Sequence, residues 1–179
     1  MLFTRRFSVV FFLVENILPG KRSSLTGSTP HRQTTTHENS NSAKNIKGSE
    51  FFLPSTNIEM GLAWSQGELK RDHMLKDMDL TTFAERLAYH YDNYNFVHPF
   101  REGNGRTQRV MWTLLSHAAG YDLDWRQVSG NENDEASRLA AENRDYSALT
   151  SIFMRIARPC DSDQPFNMEF IPAGHLDEC

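Results

Sequence analysis

The chain has 179 residues, which is long enough for one domain with a buried core and a tail. Apolar residues form 39% of the chain and charged residues 23%, a balance that excludes a collagen-like or wholly disordered protein. The net charge of −4 provides no general attraction to nucleic acid or to a membrane surface, so we expect neither as a partner.

The charge is unevenly distributed along the chain. Residues 1–49 carry a net charge of +5 and the remaining residues a net charge of −9, which predicts a change of organisation near residue 48. We therefore divide the chain into a poorly ordered N-terminal segment over 1–48, a core domain over 49–158 and a flexible tail over 159–179.

The N-terminal segment begins with an apolar run, Phe7–Val14, that follows Arg5 and Arg6. This run is far shorter than the ~20 residues that span a bilayer, and no clean cleavage site follows it. We therefore expect a short helix or strand that packs on the body of the protein rather than an export signal. In residues 21–48, half of the side chains are Ser, Thr, Asn or Gln, which predicts a disordered linker.

The two cysteines, Cys160 and Cys179, lie in no CxxC pair and near no cluster of histidines in the sequence. This pattern indicates neither a disulfide scaffold nor a zinc site. We expect a protein of a reducing compartment, the cytoplasm.

The core domain is predicted to be mainly α-helical with one short β element. Residues 49–60 predict a short strand pair or an ordered loop, and residues 61–77 place apolar side chains at roughly helical spacing. A helix over 81–95 begins at Thr81 or Thr82, which can cap it. The apolar stripe of this helix consists of Phe83, Leu87, Tyr91 and Tyr94.

A second helix is predicted from about Gly105 to Ala119, with Gly120 in the position that favours glycine after a helix end. Residues 121–125 are predicted to be a short connector. Further helices are predicted over 132–142 and 145–158. Inward-facing positions of the Gly105–Ala119 helix are predicted at Val110, Met111, Leu114, Leu115 and Ala118.

Between the helices 81–95 and 105–119 lies the segment HPFREGNGRTQR, residues 98–109. Gly103, Asn104 and Gly105 immediately precede a helix, where glycines leave backbone N–H groups accessible and the helix dipole favours an anion. Arg106 and Arg109 lie three residues apart on one helix face, and two guanidinium groups suit a polyphosphate. The segment therefore predicts a phosphate-binding loop.

The acidic and basic residues of the same segment add chemistry to that loop. The Glu102 carboxylate would repel phosphate unless it holds Mg²⁺ between them, and His98 has the ordinary pKa of a general base at neutral pH. Pro99 and Phe100 are interpreted as structural. Each feature alone is common in surface loops and turns; their coincidence within twelve residues favours a site for nucleotidyl or phosphoryl transfer.

HPFREGNGRTQR resembles the signature of Fic-domain proteins, H-x-F-x-[DE]-G-N-G-R-x-x-R, and meets every constrained position. The resemblance covers roughly residues 47–157 and implies a Fic-type helical bundle with a β-hairpin flap. It also implies a protein adenylyltransferase, a nucleotidyltransferase that moves AMP from ATP to a Ser, Thr or Tyr hydroxyl of a target protein.

The same resemblance assigns roles to the motif. His98 is implied to deprotonate the target hydroxyl, and Glu102 to hold Mg²⁺. Asn104 with the backbone of Gly103 and Gly105 is implied to hold the α- and β-phosphates, Arg106 the β-phosphate and Arg109 the γ-phosphate. The segment KGSEFFLPSTNIE is similar to the flap that pairs with the target, with Phe51 or Phe52 as a clamp on the target side chain.

The resemblance also bears on regulation and location. Family members are commonly inhibited by a glutamate in an [ST]-x-x-x-E-[GN] helix that pairs with the second motif arginine. Thr34–Asn39 matches this pattern, but Glu38 lies too close to the flap to belong to a separate helix. We therefore expect a small antitoxin to supply the glutamate to Arg109, in the cytoplasm or in a host cell that receives the protein as an effector.

Two alternatives keep the motif and change the outcome. In the first, the chain is a catalytically weak remnant that binds nucleotide or a partner without transferring AMP. In the second, the enzyme uses another phosphate-containing donor, since the motif governs the phosphates and not the choice of base.

Overall fold

The computed structural model describes residues 46–47, 50–51, 53–100 and 103–164. Most of the predicted N-terminal segment, Phe52, Glu102 and residues 165–179 lie outside the described residues. Within the described part, the prediction of a mainly α-helical fold with a short β-hairpin is confirmed.

The hairpin and the first helix lie at the start of the described part. Strand β1 (Ile46–Lys47) pairs antiparallel with β2 (Glu50–Phe51), so the predicted short β element is present. It lies earlier than predicted, because β1 falls at the end of the segment that was predicted to be a disordered linker. A 3₁₀ turn at Ser55–Asn57 leads into helix α1 (Ile58–Arg71). A second 3₁₀ turn, His73–Leu75, follows α1 and turns the chain toward the central helix.

Two helices flank the motif. Helix α2 spans Leu80–Val97 and helix α3 spans Asn104–Ala118. The predicted cap of α2 at Thr81 or Thr82 is wrong: the Asp79 carboxylate caps it and accepts hydrogen bonds from both threonine N–H groups, at 3.0 and 3.1 Å. A carboxylate accepts more strongly than a hydroxyl and also favours the positive end of the helix dipole.

The remaining elements complete the bundle. Strand β3 (Tyr121–Leu123) precedes a 3₁₀ turn, and helices α4 (Gly130–Asn143) and α5 (Ser147–Ile156) follow. Gly120 has φ of 94°, as expected for the position after a helix end. Helix α2 is central, since it packs against α1, α3, α4 and α5.

A second strand pair was missed by the sequence interpretation. Strand β4 (Ala157–Pro159) pairs antiparallel with β3 and places Asp122 opposite Arg158. The predicted helix over 145–158 therefore ends at Ile156, and the predicted connector is a strand. Pro159 disfavours helical backbone at the residue before it, and a two-stranded ribbon tolerates proline at its edge.

The core is formed by aromatic and aliphatic side chains from all the helices. The predicted stripe of α2 is confirmed, because all four of its members are buried. The buried face of α3 differs from the prediction: Met111 and Leu115 are buried, but Val110, Leu114 and Ala118 are only partly buried. Trp112, which was not predicted to face inward, is fully buried. The largest fully buried side chains are Trp112, Trp125, Phe83 and Phe153.

Two glycines of α1 provide a matched pair of substitutions. A Cβ at Gly61 would lie 2.5 Å from Leu53 Cδ2 and 3.1 Å from Val97 Cγ2, whereas a Cβ at Gly67 would meet nothing within 4 Å. Gly67→Ala is expected to stabilise the protein by about 0.5–1 kcal/mol through helix propensity alone. Gly61→Ala gains the same propensity but overpacks the contacts with Leu53 and with Val97 at the end of α2, at a cost of about 1–3 kcal/mol.

Urea denaturation of the two variants measures the difference. We expect Gly61→Ala to be the less stable of the two by about 1–3 kcal/mol. Equal stabilities would contradict the close approach of α1 to the end of α2, the end that leads into the motif.

A buried histidine makes stability depend on pH. His90 is fully buried in α2, and its Nε2 lies 2.7 Å from Asp72 Oδ2, which also accepts from Arg86 Nε at 2.6 Å. Burial lowers the pKa of His90 below its usual value of 6.5, although the hydrogen bond to Asp72 acts in the opposite direction. His90 Nδ1 is buried without a hydrogen-bond partner, so a proton placed there would be unsatisfied.

Because the folded pKa of His90 is depressed, the unfolded chain binds a proton first as the pH falls. The free energy of unfolding is therefore expected to fall below about pH 6.5, by up to ~1.4 kcal/mol per pH unit. Asp72 acts in a separate, more acidic range: burial raises its pKa, but the hydrogen bonds from Arg86 and His90 outweigh this and lower it below 3.8.

Thermal melts between pH 5 and pH 8 measure this dependence. His90→Gln is expected to flatten the slope, and His73→Gln, at an exposed histidine, to leave it unchanged. An unchanged slope in His90→Gln would show that other groups carry the dependence.

Candidate active site

His98 lies at the junction between α2 and the motif loop. It is the C-cap of α2, with φ of 43° and ψ of 60°, and its N–H donates to Tyr94 O at 3.4 Å. This left-handed backbone ends the helix, and Pro99 prevents its continuation. His98 thus lies at the end of α2; the residue as a whole is partly exposed, while its Nδ1 atom is buried.

The loop that follows is held by its own asparagine. The Asn104 side chain is 5% exposed, accepts from Phe100 N at 3.0 Å and donates to Phe100 O at 2.5 Å. Phe100 is buried, as predicted for an anchor. Asn104 therefore ties the start of α3 to Phe100, two residues after His98.

Gly103 begins α3. Its φ of 77° is left-handed, a conformation that glycine adopts without strain, and its carbonyl accepts from Thr107 N at 3.0 Å and Thr107 Oγ1 at 2.9 Å. Since glycine has no side chain that could cap the helix, the first N–H groups of α3 face the loop. Gly105 lies in this first turn and is partly exposed.

The two motif arginines have different surroundings. Arg106 is partly exposed, whereas Arg109 is 6% exposed and its guanidinium lies 5.9 Å from the centre of the Trp125 ring. The ring face attracts the cation and supports it from beneath. Trp125 Nε1 in turn donates to Thr113 Oγ1 at 3.0 Å, which fixes the ring against α3.

Three residues support the site and were not singled out by the sequence analysis: Asn95, Gln108 and Trp125. Gln108 Nε2 donates to Asn95 Oδ1 at 3.2 Å and joins α3 to α2 on either side of the loop. Trp125 was assigned to a connector, yet it lies under Arg109. In the sequence, Trp125 alternates with Tyr121 and Leu123, a pattern that could have marked it as buried. Gln108 lies at a variable position of the motif, so the sequence contained no indication of its role.

The structure places the predicted site residues as follows. His98, Gly103, Asn104, Gly105, Arg106 and Arg109 lie on one loop and the helix that begins from it. Glu102 and Phe52 lie outside the described residues. Phe51 lies in β2, and shortly after it the Leu53 N–H donates to Phe96 O at 3.2 Å, which ties the end of the hairpin to the end of α2.

A partly exposed His98 therefore lies at the end of α2, six residues along the chain from the first residue of a helix that is preceded by glycine and carries two arginines. A helix N-terminus with nearby guanidinium groups binds phosphate oxygens, and an imidazole at the edge of such a site can accept a proton.

Comparison with known proteins is consistent with this chemistry. The sequence model of the family described as Fic/DOC matches residues 21–116. The protein adenylyltransferase VbhT of Bartonella schoenbuchensis is 37% identical over 92 residues, which cover 51% of this chain and 19% of that protein.

Two solved structures share the fold. The BepC effector of Bartonella tribocorum with bound AMPPNP has a TM-score of 0.61 and 27% identity, over 65% of this chain and 56% of that one. The N-terminal Fic domain of a cell filamentation protein of Bartonella quintana with bound ADP has a TM-score of 0.63 and 29% identity, over 68% and 57%. The chain thus spans only part of each protein that it matches.

The family match differs from the predicted coverage at both ends. We expected the resemblance to begin near residue 47, because residues 21–46 are polar, but the match begins at residue 21 and ends at 116. Polar composition reports on burial and not on common descent.

In the part of the chain that the structure describes, none of the helices has the length and apolar character of a membrane span.

A family match that covers more than half of the chain and includes the motif after His98, on a fold shared with solved Fic domains, establishes that this chain belongs to the Fic/DOC family.

Proposed function

We propose that this chain is a protein adenylyltransferase that transfers AMP from ATP to a Ser, Thr or Tyr hydroxyl of a target protein. The observation that carries the proposal is the single loop that joins a partly exposed His98 to the N-terminus of α3 and to Arg106 and Arg109. A relative named protein adenylyltransferase and neighbours crystallised with AMPPNP and ADP support it.

The nucleotide is held by the start of α3. Backbone N–H groups of Gly103, Asn104 and Gly105 bind the α- and β-phosphates, since the Asn104 side chain is already bonded to Phe100 at both of its polar atoms. Arg106 binds the β-phosphate and Arg109 the γ-phosphate. Glu102 is the residue that would hold Mg²⁺, which when bound offsets the charge of the phosphates.

His98 performs the proton transfer. It accepts the proton of the target hydroxyl while the hydroxyl oxygen bonds to the α-phosphorus. The bond from the α-phosphorus to the bridging oxygen breaks on the opposite side, and pyrophosphate leaves with that electron pair. Attachment of His98 to a buried helix end keeps the imidazole at a constant distance from the phosphate loop.

The hairpin holds the target. Strand β2 is an edge strand of a two-stranded sheet. An extended segment of the target pairs with this edge through backbone hydrogen bonds. Phe51 or Phe52 clamps the side chain that carries the hydroxyl. Both positions lie shortly before Leu53, whose N–H donates to the carbonyl of Phe96, two residues before His98.

Activity is restrained by a partner, a small antitoxin whose glutamate pairs with Arg109 and displaces the γ-phosphate. The toxin acts in the cytoplasm, or in a host cell when it is delivered as an effector. The protein purified without the partner therefore modifies itself strongly. A silent purified protein that Glu38→Gly activates would instead place the inhibitory glutamate in the chain itself.

Intact-mass spectrometry after incubation with ATP and Mg²⁺ tests the reaction. The expected result is a gain of one adenylate per modified hydroxyl, absent when ATP is replaced by a non-hydrolysable α,β-analogue. Nucleotide binding without a mass gain on the protein or on lysate proteins would favour a remnant that only binds. A different mass gain with another nucleotide would identify a different donor.

A further inference from the structure

A second cluster of chemically active side chains lies at the other end of α3. His117 is on the last turn of α3, Asp122 is in β3, and Cys160 directly follows β4. His117 Nδ1 lies 2.7 Å from Asp122 Oδ1 and 3.4 Å from Cys160 Sγ. The three ligand atoms all lie within 4.8 Å of one another.

The backbone holds this cluster in place. Cys160 N donates to Gly120 O at 2.9 Å, which extends the ribbon of β3 and β4 by one residue and brings Cys160 back to the end of α3. The cluster lies thirteen residues along α3 from Asn104, about 20 Å at helical rise. It is therefore separate from the phosphate loop.

The hydrogen bond of His117 Nε2 determines the tautomer and the orientation of the imidazole ring. Nε2 lies 2.6 Å from the Gln164 carbonyl oxygen, which can only accept, so Nε2 carries a hydrogen. A hydrogen bond of this kind, from the ring nitrogen to a backbone carbonyl, orients metal-binding histidines. It directs Nδ1 toward Asp122 and Cys160.

The contact at Nδ1 requires a positive charge. In the tautomer with hydrogen on Nε2, Nδ1 presents a lone pair, and so does the carboxylate oxygen 2.7 Å away. Two acceptors at that distance repel unless a proton or a metal ion lies between them. The Cys160 sulfur lies at a third corner, 3.4 Å from Nδ1 and 4.0 Å from the His117 carbonyl oxygen, to which the thiol can donate. As a thiolate, the same sulfur is a ligand for a metal ion.

The separations suit a tetrahedral ion. Zinc binds nitrogen at about 2.0–2.1 Å, oxygen at about 2.0–2.2 Å and sulfur at about 2.3 Å, so tetrahedral angles separate nitrogen from sulfur by about 3.5 Å and nitrogen from oxygen by about 3.4 Å. The observed 3.4 Å between Nδ1 and Sγ already agrees. The pair at 2.7 Å must open by about 0.7 Å, a movement that a side-chain rotation supplies.

We propose that His117 Nδ1, Asp122 Oδ1 and Cys160 Sγ bind one zinc ion, with water as the fourth ligand. A mixed nitrogen, oxygen and sulfur set favours zinc over magnesium and calcium, which take oxygen ligands. The bound ion joins the end of α3 to both strands of the ribbon. The sequence analysis indicated no zinc site because neither cysteine lies in a CxxC pair or near a cluster of histidines; the fold brings Cys160 to His117 across 43 residues of sequence.

A nucleophilic role for Cys160 fits the site less well. Burial raises the pKa of the Cys160 thiol to about 11, and the neighbouring Asp122 carboxylate adds to the shift. The thiol is therefore protonated and unreactive at neutral pH. A coordinated zinc ion removes that proton, because its charge outweighs the carboxylate.

The test uses the full chain with Cys179→Ser, so that Cys160 is its one remaining thiol. After chelation and dialysis, titration with Zn²⁺ is expected to give one bound equivalent and a higher melting temperature. Cys160→Ser and Asp122→Asn are expected to weaken binding by more than about 10-fold, since loss of a residue that merely orients a ligand already costs 10–100-fold. Asp161→Asn, an exposed neighbour, is the matched control and should bind as before.

Co²⁺ provides a second measurement, in which none of the three proposed ligands is substituted. The protein with Cys179→Ser is expected to show a thiolate-to-cobalt charge-transfer band and tetrahedral visible absorption. Absence of that band, or zinc affinity that Cys160→Ser and Asp122→Asn leave unchanged, would overturn the site. Neither measurement depends on AMP transfer, so both test the metal site even if the protein does not transfer AMP.

Discussion

Replacement of His98 by alanine is expected to slow AMP transfer by about 10²–10⁴-fold, the usual contribution of a positioned general base. The imidazole lies at the left-handed end of α2, directly before the loop that begins α3. We expect its removal to leave the loop folded, because the Asn104 side chain holds Phe100 through two hydrogen bonds. The rate constant for transfer should therefore fall while ATP affinity changes little.

Two measurements separate a catalytic role of His98 from a structural one. Single-turnover labelling with ATP gives the rate, and calorimetric titration with a non-hydrolysable analogue gives the affinity. His73→Ala, at an exposed histidine, is the matched control and should retain wild-type rate. A His98→Ala protein that labels within tenfold of wild type would remove His98 from the mechanism.

Trp125→Ala is expected to destabilise the protein by about 3–5 kcal/mol, the typical cost of removing a buried tryptophan. Trp125 is 1% exposed and packs edge-on against Phe153, with ring centres 6.1 Å apart. For a domain of this size, that loss lowers the melting temperature by on the order of 10–20 °C. The same change removes the ring beneath the Arg109 guanidinium.

Trp125→Phe separates packing from the hydrogen bond. It keeps an aromatic ring under Arg109 but removes the indole N–H that Thr113 Oγ1 accepts. Thr113 remains satisfied through its bond to Arg109 O at 2.8 Å, so we expect a loss of only about 1–2 kcal/mol.

The functional effect of Trp125 follows from the position of Arg109. In Trp125→Ala, KM for ATP should rise at a temperature where the variant is still folded, whereas Trp125→Phe should retain KM near wild type. If Trp125→Ala melted within a few degrees of wild type, the 3₁₀ turn that carries Trp125 would not be part of the core.

The helices and the candidate site were largely predictable because their signals are local. Phe83, Leu87, Tyr91 and Tyr94 recur at helical spacing, and that spacing alone places them on one buried face. The motif from His98 to Arg109 is contiguous in the sequence. Its residues therefore lie near one another wherever one helix ends at its start and the next helix begins within it. Gly120 marked a helix end for the same local reason.

Tertiary structure decided what depends on pairing between distant residues. The ribbon of β3 and β4, the tryptophan beneath Arg109 and the meeting of His117 with Cys160 each join segments that no local pattern relates. A helix repeats its contacts every few residues and so leaves a periodic trace in the sequence, whereas a contact across the fold leaves none. Sequence by itself therefore determined the helical bundle and the contiguous motif between its two long helices, and packing alone brought His117, Asp122 and Cys160 together.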